Sequence, residues 1–276
     1  MQGKIIKQIS NDYTVLVDGV KYVCKARGKF RNLGLTPLVG DEVIINDENY
    51  ILEILERKNE LKRPSISNID EAIIITSLKH PDFSTNLLDK LLTVIEYNNI
   101  KPVIIFTKKD LLSEEEYEKI KPYINYYKKI GYETYINDEI DKIKKIFMDK
   151  VSVFTGQTGA GKSTLLNNLN ANLNLKTNEI SLALNRGKHT TRHTELLEIE
   201  GGLVADTPGF SALDFDDMTK EDIRDNFIEF NIYRHECPFN DCMHTHEKNC
   251  KIKEKVNNGT ILKSRYENYL KFISRW

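Results

Sequence analysis

The chain has 276 residues, 40 Lys+Arg against 41 Asp+Glu for a formal charge of -1, and is 40% hydrophobic and 29% charged. That length holds more than one hydrophobic core, the composition is not that of a disordered chain, and no apolar run approaches the roughly 18 residues of a membrane span. A globally basic nucleic-acid binder is excluded, but the charge is uneven: residues 1–61 carry nine basic and nine acidic side chains, residues 62–230 carry 22 and 27, and residues 231–276 carry nine and five.

The opening MQGKIIKQIS lacks the apolar core and cleavage site of a signal peptide, so a cytoplasmic protein with reduced cysteines and no membrane partner is expected. The first 61 residues alternate apolar and polar positions in short stretches. Tyr13-Thr14-Val15-Leu16-Val17 and Glu42-Val43-Ile44-Ile45 are two of them, with turn signals at Asp18-Gly19 and Val39-Gly40-Asp41. About five strands with little helix predict a small Greek-key β-barrel, for which the oligonucleotide-binding (OB) fold is the commonest candidate. From Gly19 to Gly40 the chain carries Lys21, Lys25, Arg27, Lys29 and Arg31 and no acid, interleaved with Tyr22 and Phe30. That composition suits either a face that tracks a phosphate backbone and stacks bases or a merely solvated one.

After Arg63-Pro64 strands and helices alternate. Ala72-Ile73-Ile74-Ile75-Thr76 is a buried-strand run, and Ser84 stands where it would cap a helix carrying Leu87, Leu88, Leu91, Leu92 and Ile95. Pro102-Val103-Ile104-Ile105-Phe106 is a second strand, and Ser113-Glu114-Glu115-Glu116 has the form of a capping box for a helix that Gly131 ends. Val151-Ser152-Val153-Phe154 and Leu203-Val204-Ala205 are further strands. Alternation of this kind predicts parallel strands with crossover helices, an α/β layer sandwich. The expected division is a barrel over 1–63, an α/β domain over 64–222 and a small C-terminal domain over 223–276.

The strongest motif is Gly156-Gln157-Thr158-Gly159-Ala160-Gly161-Lys162-Ser163-Thr164, which follows a strand and opens a helix, as a phosphate-binding P-loop requires. Its glycines let backbone N–H groups turn inward around phosphates. Lys162 is expected to reach the β- and γ-phosphates and Ser163 to bind Mg²⁺. Thr107-Lys108-Lys109-Asp110 fits the [NT]-K-x-D pattern of guanine readers. The Asp110 carboxylate can accept from guanine N1–H and the 2-amino group together, a pair that adenine cannot supply. Asp206-Thr207-Pro208-Gly209 after a strand supplies a carboxylate for Mg²⁺ through water and, in Gly209, an amide for a γ-phosphate. Gly187-Lys188-His189-Thr190-Thr191 occupies the place of the other switch, where one Thr hydroxyl completes the metal shell and the sequence does not decide which. Phe210 stands where GTPases commonly carry the Gln that orients water. His189 is the nearby titratable candidate for that task, its alternatives being an exposed loop residue or an RNA contact. The base reader precedes the P-loop, the reverse of the usual order, so the GTPase is circularly permuted. Two other classes compete: a P-loop kinase, which has no use for Asp110, and a nucleic-acid-binding module with a vestigial nucleotide site.

Cys237, Cys242, His244 and Cys250 form a C-x₄-C-x-H-x₅-C array, with His246 a rival ligand by spacing. Three thiolates and an imidazole satisfy the closed tetrahedral shell of one structural Zn²⁺. Together the permuted motif order, the Arg57-Lys58-Asn59-Glu60-Leu61-Lys62-Arg63-Pro64 linker, G-Q-T-G-A-G-K-S-T, G-K-H-T-T, D-T-P-G-F and the Cys/His array resemble the ribosome small-subunit-dependent GTPase A family over essentially the whole chain. The resemblance implies an N-terminal OB barrel, a permuted GTPase core and a C-terminal zinc domain. It further implies a role in late maturation of the small (30S) ribosomal subunit, contact with its rRNA, and GTP hydrolysis to GDP stimulated by that subunit. A monomer is the corresponding expectation. Where the family has a Ser-Ala loop at guanine, this chain reads Tyr135-Ile136-Asn137-Asp138-Glu139.

Overall fold

The computed structural model describes residues 1–28, 30, 34–62, 65–169, 195–206 and 213–275. The chain divides into two compact units. One comprises Met1–Ile73, Asn137–Thr155 and Gly161–Ala212, the other Ile74–Ile136, Gly156–Ala160 and Leu213–Trp276.

The first unit contains the barrel. Strands β1 (Gln2–Ile9), β2 (Asp12–Val17), β3 (Val20–Ala26), β4 (Glu42–Ile45) and β5 (Tyr50–Ile54) run in the order β1-β2-β3-β5-β4, and β4 pairs back onto β1. All pairs are antiparallel except β3 with β5, and this closure is that of the expected OB fold. A bulge between Ile5 and Lys7 bends β1, which lets the one strand serve two neighbours. The inward positions Ile5, Val15, Cys24, Val43 and Ile51 are fully buried, as the alternating sequence requires. Behind the barrel a ribbon of β6 (Glu60–Lys62) and β7 (Ser65–Ser67) is fastened by Asp41. That buried carboxylate accepts from Arg57 Nε and Nη2, Ser67 Oγ and Leu38 N at 2.6–2.8 Å. The same unit holds β11 (Val151–Gly156) up to Thr155, and β11 pairs in parallel with β13 (Gly202–Asp206). β12 (Glu195–Ile199) pairs antiparallel with β13 and touches β1 at Lys7 and Glu195. Helices α3 (Ile140–Ile146) and α4 (Lys162–Leu169) belong here too.

The second unit takes most of β8 (Glu71–Ser77), then α1 (Thr85–Tyr97), β9 (Lys101–Thr107), α2 (Glu114–Lys129) and β10 (Glu133–Ile136). β9 lies between β8 and β10, parallel to β10. β8 and β9 are buried almost throughout, which is why they read as unbroken apolar runs. Ser84 caps α1 by accepting from Leu87 N, and Ser113 and Glu116 form both halves of the capping box of α2. The C-terminal helices α5 (Lys220–Asp225), α6 (Ile228–Tyr233), α7 (Lys251–Asn257) and α8 (Lys263–Ile273) complete the unit. Their core of Ile223, Phe227, Phe230, Ile252, Tyr269 and Phe272 also includes Val94 of α1. Among the described residues no helix is long and apolar enough to cross a membrane.

Candidate functional site

The phosphate loop is shaped by close backbone approach. Gly156 ends β11 at φ +135°, where a Cβ would lie 2.2 Å from the Ile75 carbonyl oxygen, so only glycine lets the chain pass. Gly159 and Gly161 also have positive φ, and Ala160 N donates to Gln157 O at 3.0 Å to close the turn. Gln157, Thr158 and Gly159 are exposed; α4 begins at Lys162, with Lys162 and Ser163 half-buried and Thr164 exposed.

The Thr107–Asp110 segment, the base reader expected from the sequence, is tied to this loop. Thr107 ends β9 buried, and its hydroxyl donates to the Ala160 carbonyl. A hydroxyl is donor enough for this bond, which accounts for Thr where Asn is commoner. Lys108 adopts the left-handed conformation at φ 61°, and its ammonium donates to Gly159 O at 2.6 Å and to His80 O. The chain then makes a 3₁₀ turn over Lys109–Leu111 with Asp110 exposed, while Lys109 Nζ sits 4.9 Å from the centre of the Tyr117 ring. Thr107 and Lys108 thus grip the 156–160 loop, and Asp110 beside them is exposed.

Asp206 is the last residue of β13, two positions beyond a strand register that pairs Ser152 with Val204. His189, Thr190, Thr191, Gly209 and Phe210 lie outside the described residues. Tyr135 and Ile136, read in sequence as part of a loop, instead end β10 opposite Ile105 and Phe106 of β9.

The structure brings Cys237, Cys242, His244 and Cys250 together, with their ligand atoms all within 4.8 Å of one another; His246 is exposed and stands outside the group. The Nδ1 atom of His244 lies 3.4 Å from Cys250 Sγ and 3.7 Å from Cys237 Sγ. Bonds of about 2.3 Å to sulfur and 2.05 Å to nitrogen at a tetrahedral angle put sulfur and nitrogen about 3.6 Å apart, so the four residues fit one Zn²⁺. Burial holds the His244 imidazole down to about 4, leaving it neutral, with a lone pair to give. Burial also pushes the Cys242 thiol up to about 12, so a thiolate here needs a cation beside it. His244 has φ 59°, Glu247 accepts from the N–H groups of Met243 and Thr245 at 2.7 Å each, and the Phe230 ring meets the imidazole edge to face.

Two features escaped the sequence reading. His80 enters through its carbonyl, for which side-chain identity carries no signal. Arg265 of α8 is fully buried, with Nε and Nη2 each 2.7 Å from a Glu229 oxygen and Nη1 2.9 Å from Asp89 Oδ1. In sequence it is one more cation in a basic tail.

Comparison with known proteins bears on the whole chain. The RsgA N-terminal domain family matches residues 2–51 and the RsgA GTPase family residues 54–216. A protein of Oceanobacillus iheyensis named small ribosomal subunit biogenesis GTPase RsgA 2 is 50% identical, the match covering 99% of this chain and 96% of that one. The small ribosomal subunit biogenesis GTPase RsgA of Enterococcus faecalis is 46% identical, over 99% of this chain and 94% of that one. Among solved structures, YjeQ from Thermotoga maritima superposes with a TM-score of 0.87 at 35% identity, covering 99% of this chain and 97% of that one. YloQ, described as a circularly permuted GTPase, gives 0.83 at 37%, covering 99% and 94%. With an OB barrel, a permuted GTPase core and a Cys₃His cluster in one chain, and these matches spanning it, the chain belongs to the RsgA GTPase family.

Proposed function

We propose that this chain hydrolyses GTP to GDP and phosphate while bound to the small ribosomal subunit, and acts in the late maturation of that subunit. The observation that carries the reading is the clasp of Thr107 and Lys108 on the carbonyls of Ala160 and Gly159, which joins a guanine reader to a triphosphate loop and leaves Asp110 open. The names of the relatives support the choice of partner. In this reading Gly156–Thr164 cradle the phosphates, with Lys162 on the β- and γ-phosphates. Ser163 and Asp206 would hold Mg²⁺, Asp206 through water, and the Gly209 amide would sense the γ-phosphate. Mg²⁺ supplies charge neutralisation between those phosphates. His189 orients the attacking water as a neutral imidazole, since Phe210 cannot. Cys237, Cys242, His244 and Cys250 hold one structural zinc. Lys21, Lys25 and Arg27, all exposed, and the lysines of the C-terminal tail meet rRNA phosphates. The protein works in the cytoplasm as a monomer of three domains, 1–63, 64–222 and 223–276. The test is the GTPase rate with and without purified small ribosomal subunits. Slow intrinsic turnover and a large stimulation are expected; an unchanged rate overturns the reading, and loss of stimulation in His189→Ala that still binds the subunit assigns the water to His189.

A further inference from the structure

The residues of the second unit form an unbroken line of contacts from the Cys₃His cluster to the guanine reader. Phe230 packs on His244, and the neighbouring Glu229 receives the fork of Arg265, whose remaining nitrogen reaches Asp89 on α1. One turn along α8, Asn268 donates to Asp89 Oδ2 at 2.6 Å and contacts Thr85 and Asn86, so α8 grips the first turn of α1. Tyr127 of α2 donates to the same Asp89 at 2.6 Å. The first turn of α1 continues directly back into Lys79–Phe83, the segment whose His80 carbonyl receives Lys108 and whose Pro81 lies against Gly159.

Arg265 bridges two buried carboxylates, Asp89 and Glu229, so removing it strands both away from water, and the cluster has essentially one arrangement. The other end of the line has two states. The loop with its three sulfurs and imidazole is buried against α8, where Tyr266 and Tyr269 donate to the His244 and Met243 carbonyls at 2.6 Å, and four clustered ligand atoms hold that packing more firmly with a cation between them than without one. Loosening it withdraws Phe230 and Glu229, then the support of α1, then that of the His80 segment.

We propose that Arg265, with Asp89, Glu229 and Asn268, is a positioning residue that couples metal binding at the Cys₃His cluster to guanine-nucleotide affinity at Thr107–Asp110. The proposal rests on the nucleotide and zinc assignments given above. By linkage, GDP must then tighten zinc by the same factor that zinc tightens GDP.

The experiment uses the full-length protein and two probes, Zn²⁺ and N-methylanthraniloyl-GDP, with Mg²⁺ in excess. GDP affinity is measured with zinc bound and after its removal by a zinc-selective chelator, and zinc affinity by chelator competition with and without saturating GDP. The expected result is a loss of at least about fivefold in GDP affinity without zinc, and an equal gain in zinc affinity with GDP. A change of less than about fivefold, whether in GDP affinity on zinc removal or in zinc affinity on GDP saturation, overturns the coupling. If the zinc-loaded protein binds no GDP, or takes up no zinc, the site assignments fail instead. Arg265→Lys keeps the charge but not the fork, and Asn268→Ala removes only the grip on α1. Each is expected to hold zinc and GDP while the coupling factor falls below twofold. A merely structural role would lower the melting temperature of both variants and leave that factor intact, which also overturns the proposal.

Discussion

Lys108 spends its charge on two backbone carbonyls, not on solvent, and this decides what its loss costs. Lys108→Met keeps the stem but leaves Gly159 and His80 without their donor. Hydrogen bonds to a charged donor contribute about 1.5–3 kcal/mol, so GDP affinity is expected to fall roughly 10- to 150-fold, read by nucleotide titration with the fold monitored by circular dichroism. Asp110 is the opposite case: it is exposed, and in the proposed reading its worth lies in the ligand. Asp110→Asn offers an amide that pairs with the 2-oxo group of xanthine but not with the 2-amino group of guanine. Preference should pass from GTP to XTP with stability unchanged, and competition binding between the two nucleotides checks it.

At the scale of elements, the Cys₃His loop gathers four ligand atoms within 4.8 Å of one another. Between α6 and α7 the chain has a 3₁₀ turn, the bonds that Glu247 accepts from Met243 and Thr245, and the hydroxyls of Tyr266 and Tyr269, which donate to the His244 and Met243 carbonyls at 2.6 Å. Zinc contributes about 10–16 kcal/mol to folding in isolated finger peptides, so in the proposed reading its loss is expected to weaken this segment before the rest of the chain. Cys237→Ser is expected to bring zinc below one per chain by elemental analysis and to raise hydrogen exchange in α7 and α8 before it does so in the barrel strands. Unchanged zinc would remove Cys237 from the ligand set. The helices were legible for local reasons, because Ser84, Ser113 and Glu116 act within three residues of themselves. Strand β10 was not. Its residues Glu133–Ile136 are all half-buried and too few to show a period, and their place is decided by pairing with β9.

For the whole molecule, the charge that sums to -1 leaves residues 1–61 neutral, with cations but no acid from Gly19 to Gly40, and makes the C-terminal tail net positive. If the barrel cations meet phosphates, replacing Lys25 and Arg27 with Ala should weaken binding to small ribosomal subunits and reduce the slope of log affinity against log salt by about 0.7–0.9 for each phosphate that is no longer neutralised. An unchanged slope would mark that face as solvated only. The motifs, the barrel pattern, the permuted order and the Cys/His array all depend on residue types at fixed short spacing, and so the sequence by itself determined the fold class and the family. Arg265, Asp89 and Glu229 come from helices far apart in the chain, and a buried ion cluster has no period or spacing by which to be read. The choice of His244 over His246 also fell to the tertiary structure, because both satisfy the spacing and only the folded turn carries one ring inward. Local propensity and motif spacing act along the chain; burial and partner choice act between segments that only the completed core brings together.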